Sequence, residues 1–259
     1  MRIIAIANQK GGVGKTTTAI NLSAGLAARG KKILLLDLDP QANATSGLGA
    51  EASSENCMYH PLLGAAQIEE KIIPSRLENL WLVPGDMDLA GVEIELAQMD
   101  DYLGRLRTIL DNLSKTSSFD YCILDTPPSL GVLMTSALAA ADDIVIPLQC
   151  EWFGLEGLAK IVHVIERIKE AGVNPAVVLE GILMTMYDAR TNLSRSVVEE
   201  VTKYFPEQLY RAIIPRSIRI GEAPSYGRTI FEHDPQGAGS LAYAAFADEF
   251  INRRATGPS

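Results

Sequence analysis

Residues 10–17 read Lys-Gly-Gly-Val-Gly-Lys-Thr-Thr, and each residue type in that run suits the capture of a phosphate chain. Gly11, Gly12 and Gly14, with Val13 between them, let successive backbone N–H groups converge on phosphate oxygens. The Lys15 ammonium supplies positive charge, and Thr16 and Thr17 open a helix whose N-terminus favours an anion. The Thr16 hydroxyl can in turn coordinate Mg²⁺ between the outer phosphates. The common form of such a loop, G-x-x-x-x-G-K-[ST], demands glycine at position 9. Here that position is Gln9, and an additional Lys10 follows it.

Two lysines this close repel unless an anion lies between them. Lys10 therefore either joins Lys15 on one nucleotide or reaches the nucleotide of a facing subunit, in the manner of an arginine finger. Three carboxylates stand at the ends of apolar runs. Asp37 and Asp39 close Leu-Asp-Leu-Asp-Pro, where a period of two directs both to the same side. Asp39 is the candidate to orient or deprotonate an attacking water, with Asp37 supporting it. Asp125 closes Tyr-Cys-Ile-Leu-Asp and precedes Thr-Pro-Pro-Ser, the place of an acid that holds Mg²⁺ directly or through water. The tandem prolines fix the backbone behind it, which suits a loop that shifts with the terminal phosphate.

The elements that must position these groups are legible as hydrophobic patterns. Continuous apolar runs at 2–7, 32–38, 80–83, 121–124, 143–148 and 177–186 predict strands buried on both faces. Helical spacing predicts helices over 16–28, 89–113, 131–140, 155–171, 193–204 and 240–252. Alternation of the two implies an α/β fold with a mostly parallel, twisted sheet and helices on both faces. Residues 41–74 lack periodicity and are expected to form loops and short helices. No linker divides the chain, so one domain over 1–259 is expected, with a polar tail over 253–259 that frays.

Bulk composition narrows the classes. The 259 residues are 47% apolar, enough for a sizeable core, yet no stretch reaches the roughly 20 apolar residues of a membrane span. With no cleavable-signal layout and no close cysteine pairing among Cys57, Cys122 and Cys150, a cytoplasmic protein with reduced thiols is expected. A net charge of −9 argues against nucleic-acid binding by the surface as a whole. The segment 184–228 departs from that balance, with seven Lys or Arg against five Asp or Glu.

Five blocks, KGGVGKTTT, LLLDLDPQANATSGLG, ILDTPPSLG, MYDARTNL and IPRSIRIGEAPSYG, resemble the ParA (Soj) family of partition ATPases, in the expected order and through nearly the whole chain. The resemblance implies a deviant P-loop NTPase that takes ATP and Mg²⁺ and forms a sandwich homodimer, with Lys10 on the opposite subunit's nucleotide. It also implies a phosphate and metal set of Lys15, Thr16, Asp39 and Asp125, and Pro215 beside the adenine. Arg190 and Arg219 match residues with which relatives bind non-specific DNA, and Arg195, Lys203, Arg216 and Arg228 could extend that patch. A ParB-like partner would stimulate hydrolysis on the nucleoid. The chain begins almost at its first strand, so a helix-turn-helix extension of the kind larger plasmid relatives carry is not expected. Rival readings are a MinD-like membrane-cycling ATPase, an iron–sulfur electron carrier, and the same machine positioning carboxysomes or chemoreceptor clusters.

Overall fold

Runs of Ile, Leu and Val without alternation are stable only where both faces of a strand are covered, and the architecture supplies that cover. In the computed structural model, which describes residues 1–256, eight strands form one sheet. They are β1 (Arg2–Ile6), β2 (Ile33–Asp37), β3 (Ile73–Pro74), β4 (Leu80–Val83), β5 (Tyr121–Asp125), β6 (Asp143–Gln149), β7 (Val178–Tyr187) and β8 (Leu209–Pro215). Their order is β3-β4-β2-β5-β1-β6-β7-β8. Every neighbouring pair is parallel except β3 with β4. All carboxyl ends except that of β3 therefore lie along one edge.

The longer helices are α1 (Lys15–Ala27), α2 (Leu89–Leu96), α3 (Tyr102–Thr116), α4 (Val132–Ala140), α5 (Trp152–Glu170), α6 (Asn192–Tyr204) and α7 (Ala238–Thr256). The period of two along each strand sorts them into two layers. Ile4 and Ile6 of β1 pack with Leu22 and Leu26 of α1 and Phe246 and Phe250 of α7. Ile3 and Ala5 face the opposite layer, where α2 to α6 contribute Val92, Leu110, Met134, Ile161 and Val197. Helix α1 packs on the sheet with α7 beside it, and eleven of its thirteen residues are buried.

Three features differ from the sequence reading. The helix expected over 89–113 is two, because Asp101 takes the position before α3 with a non-helical backbone, and aspartate competes with helical hydrogen bonding in such places. Strands β3 and β8 carry no buried run: β3 is two residues long with Pro74, and β8 is a half-exposed edge strand interrupted by Arg211. The fraying tail is corrected as well, since α7 continues through Thr256, and residues 257–259 lie outside the described residues. What holds this end is charge: Arg253 donates to the Leu209 carbonyl at 2.6 Å and to Glu249, and Arg254 pairs with Asp143 at 2.7 Å. The segment 41–74 does form loops and short helices, at Asn43–Gly47, Tyr59–Leu63 and Ile68–Lys71. Among the described residues, no helix is long and apolar enough to cross a membrane.

Asp143, at the start of β6, is 1% exposed and receives both Arg254 of α7 and Arg2 of β1. Asp143→Ala leaves the largely buried Arg254 with only its longer contact to Glu180 at 3.5 Å, so the expected loss is about 3 kcal/mol, read as a lower urea midpoint with unchanged slope.

Candidate active site at the carboxyl edge of the sheet

The glycine loop is built by the turn from β1 into α1. Gly14 precedes the first helical residue at φ 89°, and Gly12 lies at φ 72°, both in the left-handed region that disfavours any side chain. Three hydrogen bonds from two side chains anchor the loop. Asn8 donates to the Pro147 carbonyl of β6 at 2.8 Å and accepts the Lys10 N–H at 3.0 Å, while Thr185 of β7 donates to the Val13 carbonyl at 2.9 Å. Val13 is buried, whereas Gly11 and Gly12 are exposed. No side chain caps the N-terminus of α1, so the first-turn donors, with Thr16 and Thr17 among them, remain available to an anion.

The acids converge from neighbouring strands. Parallel register sets Asp37 of β2 level with Asp125 of β5, and Asp125 level with Ile6 of β1 just before the loop. Asp37 is fully buried and accepts from the Thr45 N–H and hydroxyl, each at 2.8 Å, and from the Asp39 N–H at 3.2 Å. It is therefore an anchor for the turn that carries Asp39. Burial pushes its carboxyl up to about 6 despite these bonds. Gly85 must be glycine, because a Cβ there would stand 2.8 Å from the Asp37 carboxyl carbon. Its N–H donates to the Thr45 hydroxyl at 2.8 Å and completes the support.

Asp125 is the unsatisfied member. It is 0% exposed, and neither carboxylate oxygen has a hydrogen-bond partner. Burial first, and the neighbouring Asp37 and Asp39 carboxylates next to it, hold it well above the ordinary carboxylate range, with the nearby Thr16 hydroxyl and Lys15 opposing. Lys15 is buried too and donates to the Lys10 carbonyl at 3.2 Å. Desolvation pulls its ammonium down, while Asp125 and Asp39 pull it up. A buried, unpaired carboxylate with a threonine hydroxyl nearby offers oxygen donors that suit a small divalent cation.

The remaining predicted residues flank this centre. A cavity of about 370 Å³ opens beside Gly14 and Thr17 and is lined by Pro215, Met186, Ile218 and Tyr243, a volume suited to a planar base. The Lys10 ammonium turns toward the end of β6, to Glu151 at 3.1 Å and Gln149 at 3.4 Å. Arg190 follows β7 and Arg219 follows β8, which bring them to adjacent strand ends. Their side chains are 87% and 63% exposed, and each pairs with an acid, Asp188 at 2.7 Å and Glu222 at 3.3 Å. Arg190 holds the Asp188 carboxyl down to about 2. Sequence reasoning missed Asn8, Thr45, Gly85, Thr185 and Glu151. Only Glu151, an acid just past a buried run, carried a signal like that of Asp125.

A glycine loop between the central strand and the first helix, facing buried acids at adjacent strand ends, defines a P-loop nucleotide-binding α/β protein. Known proteins refine this class. Residues 1–179 match the AAA domain family. The chain is 47% identical over 253 residues to the chromosome partitioning protein ParA of Myxococcus xanthus, covering 97% of this chain and 88% of the relative. It is also 47% identical to the sporulation initiation inhibitor protein Soj of Bacillus subtilis, covering 96% and 97% of the two chains. A solved structure of cobyrinic acid a,c-diamide synthase from Mycobacterium smegmatis, with bound ADP and magnesium, superposes with a TM-score of 0.85 at 34% identity, covering 100% of this chain and 97% of that one. This chain belongs to the ParA/Soj family of chromosome-partitioning ATPases.

Asp125→Asn tests the strain at the centre. Without divalent cation, an amide removes a buried charge that nothing pairs, so the variant is expected to melt at a higher temperature than the parent. The sign with pH follows from the raised folded-state value: the folded parent binds a proton more tightly than the unfolded chain, so acidification stabilises it. The advantage of the variant should therefore shrink as pH falls from neutral, as read by calorimetry in EDTA.

Proposed function

We propose that this chain is a Mg²⁺-dependent ATPase whose ATP-bound form is a face-to-face homodimer that binds DNA without sequence preference and partitions chromosome or plasmid DNA. The observation that carries the reading is the buried Lys15–Asp125 arrangement beneath the glycine loop, a pair of charges with too few partners of their own. The backbone N–H groups of residues 11–17 and the Lys15 ammonium bind the phosphates. Thr16 and Asp125, with Asp39 nearby, hold Mg²⁺, which neutralises charge on the phosphate oxygens when bound. Asp39, fixed through its own N–H on Asp37, orients the attacking water and accepts its proton. The cavity beside Pro215 takes the adenine.

Lys10 acts in trans. Its backbone belongs to the loop of its own subunit, but its ammonium is held at the end of β6 by Glu151 and Gln149. Dimerisation sets two copies of Arg190 and Arg219 side by side, so weak phosphate contacts add. Nucleoid association follows from that binding, and a ParB-like partner that stimulates hydrolysis would end it. The apolar side of α7 is occupied by the core, through Tyr243, Phe246, Ala247 and Phe250, which favours DNA over a membrane as the surface.

Two measurements check this. Lys10→Ala should remain monomeric by light scattering in a non-hydrolysable ATP analogue that dimerises the parent. Arg190→Ala and Arg219→Ala should each dimerise normally yet bind random-sequence duplex about tenfold more weakly, with the slope of log K against log salt flatter by about two per dimer. Tight DNA binding by the parent without nucleotide would refute the scheme.

A further inference from the structure

Glu151 is the charged group at this edge that the mechanism leaves unused. It holds the position between β6 and α5 with an extended backbone, and its side chain caps nothing. The carboxylate turns instead toward the glycine loop. Oε2 accepts from the Lys10 ammonium at 3.1 Å, and Oε1 accepts from the Gln149 amide at 2.7 Å. The Arg216 guanidinium stands 3.7 Å from Oε1. The Gln149 side-chain oxygen reaches the same Lys10 ammonium at 3.4 Å. Lys10 is thus tied at both ends. Its N–H on Asn8 and its carbonyl on Lys15 fix the root, and Gln149 with Glu151 fixes the tip.

We propose that Glu151 is a positioning residue for Lys10, holding the ammonium on the β6 side of the loop until the triphosphate of a facing copy takes it. This rests on the reading of Lys10 as the lysine that acts in trans. The strength of the contact suits an exchange. With side chains 33% and 40% exposed, the pair is a weak one that a polyphosphate of several negative charges displaces. A fully buried pair would not release. When Lys10 leaves, Arg216 stays beside the carboxylate, so Glu151 does not face the incoming phosphates as a lone negative charge. Gln149 keeps the carboxylate oriented in either arrangement. Glu151 therefore sets how much triphosphate is needed before two chains join, and it keeps Lys10 extended in place of collapsing onto its own loop.

Glu151→Gln retains the shape and removes the charge, and two readouts follow Lys10 itself. In the nucleotide-free chain, mass spectrometry should show Lys10 acetylated by an N-hydroxysuccinimide ester about two- to fivefold faster in the variant, while the exposed Lys203 reacts at an unchanged rate. The concentration of non-hydrolysable ATP analogue that gives half-maximal dimer by light scattering should fall by a similar factor. Unchanged acetylation or a weaker dimer in Glu151→Gln would each overturn the proposal while leaving the trans reading standing. A parent chain that stays monomeric at every nucleotide concentration would remove the trans reading itself, and this proposal with it.

Discussion

Placing charge inside a protein is unfavourable unless an opposite charge or a hydrogen bond meets it, and this fold gathers one ammonium and three carboxylates at a single sheet edge. Lys15, Asp37, Asp39 and Asp125 are all buried. Asp37 is repaid locally by Thr45 and by the Asp39 N–H. Asp125 is not, and three acids outnumber the single lysine. The edge is thus short of positive charge and of donors at one point, a deficit that a bound divalent cation and its phosphates can relieve. Stability is withheld where binding must act, which couples occupancy of the site to the order of the surrounding turns.

The rest of the sheet keeps that imbalance from being relaxed by movement. β1 sits between β5 and β6, so the strand feeding the glycine loop is hydrogen-bonded on both sides. Asn8 and Thr185 then tie the loop to β6 and β7. Helix α1 is packed against both the sheet and α7, which restrains its N-terminus from tilting to find other partners. At the far end of the sheet, Asp143 with Arg2 and Arg254 binds the first strand to the last helix.

At the periphery the charges are arranged in the opposite way. Lys10, Arg190 and Arg219, the cations proposed to reach partners outside their own subunit, each meet a nearby acid in a partly or largely exposed pair. Exposed pairs are weak, and an incoming phosphate can replace the carboxylate at little cost. The proposed function is thereby compatible with a net charge of −9, since acids that make the chain anionic also neutralise these cations in pairs that a denser anion can displace.

The buried strands and the chemistry at their ends were determined by the sequence by itself. Period and apolar run length placed six of the eight strands, the glycine-loop motif marked Lys15 and Thr16 as candidates, and residue type at or just past strand ends marked Asp37, Asp39 and Asp125, since those signals are local in the chain. Edge strands β3 and β8 were illegible because a half-exposed strand has no distinctive run, and the break before α3 because a single aspartate decided it. Only the tertiary structure decided which acid is satisfied and which is not. Gly85 and Thr185 reach the site from elements tens of residues away, and the Lys10–Glu151 contact joins groups 141 residues apart. Such pairings depend on strand order and register, which bring β6 beside β1, and no local pattern encodes them.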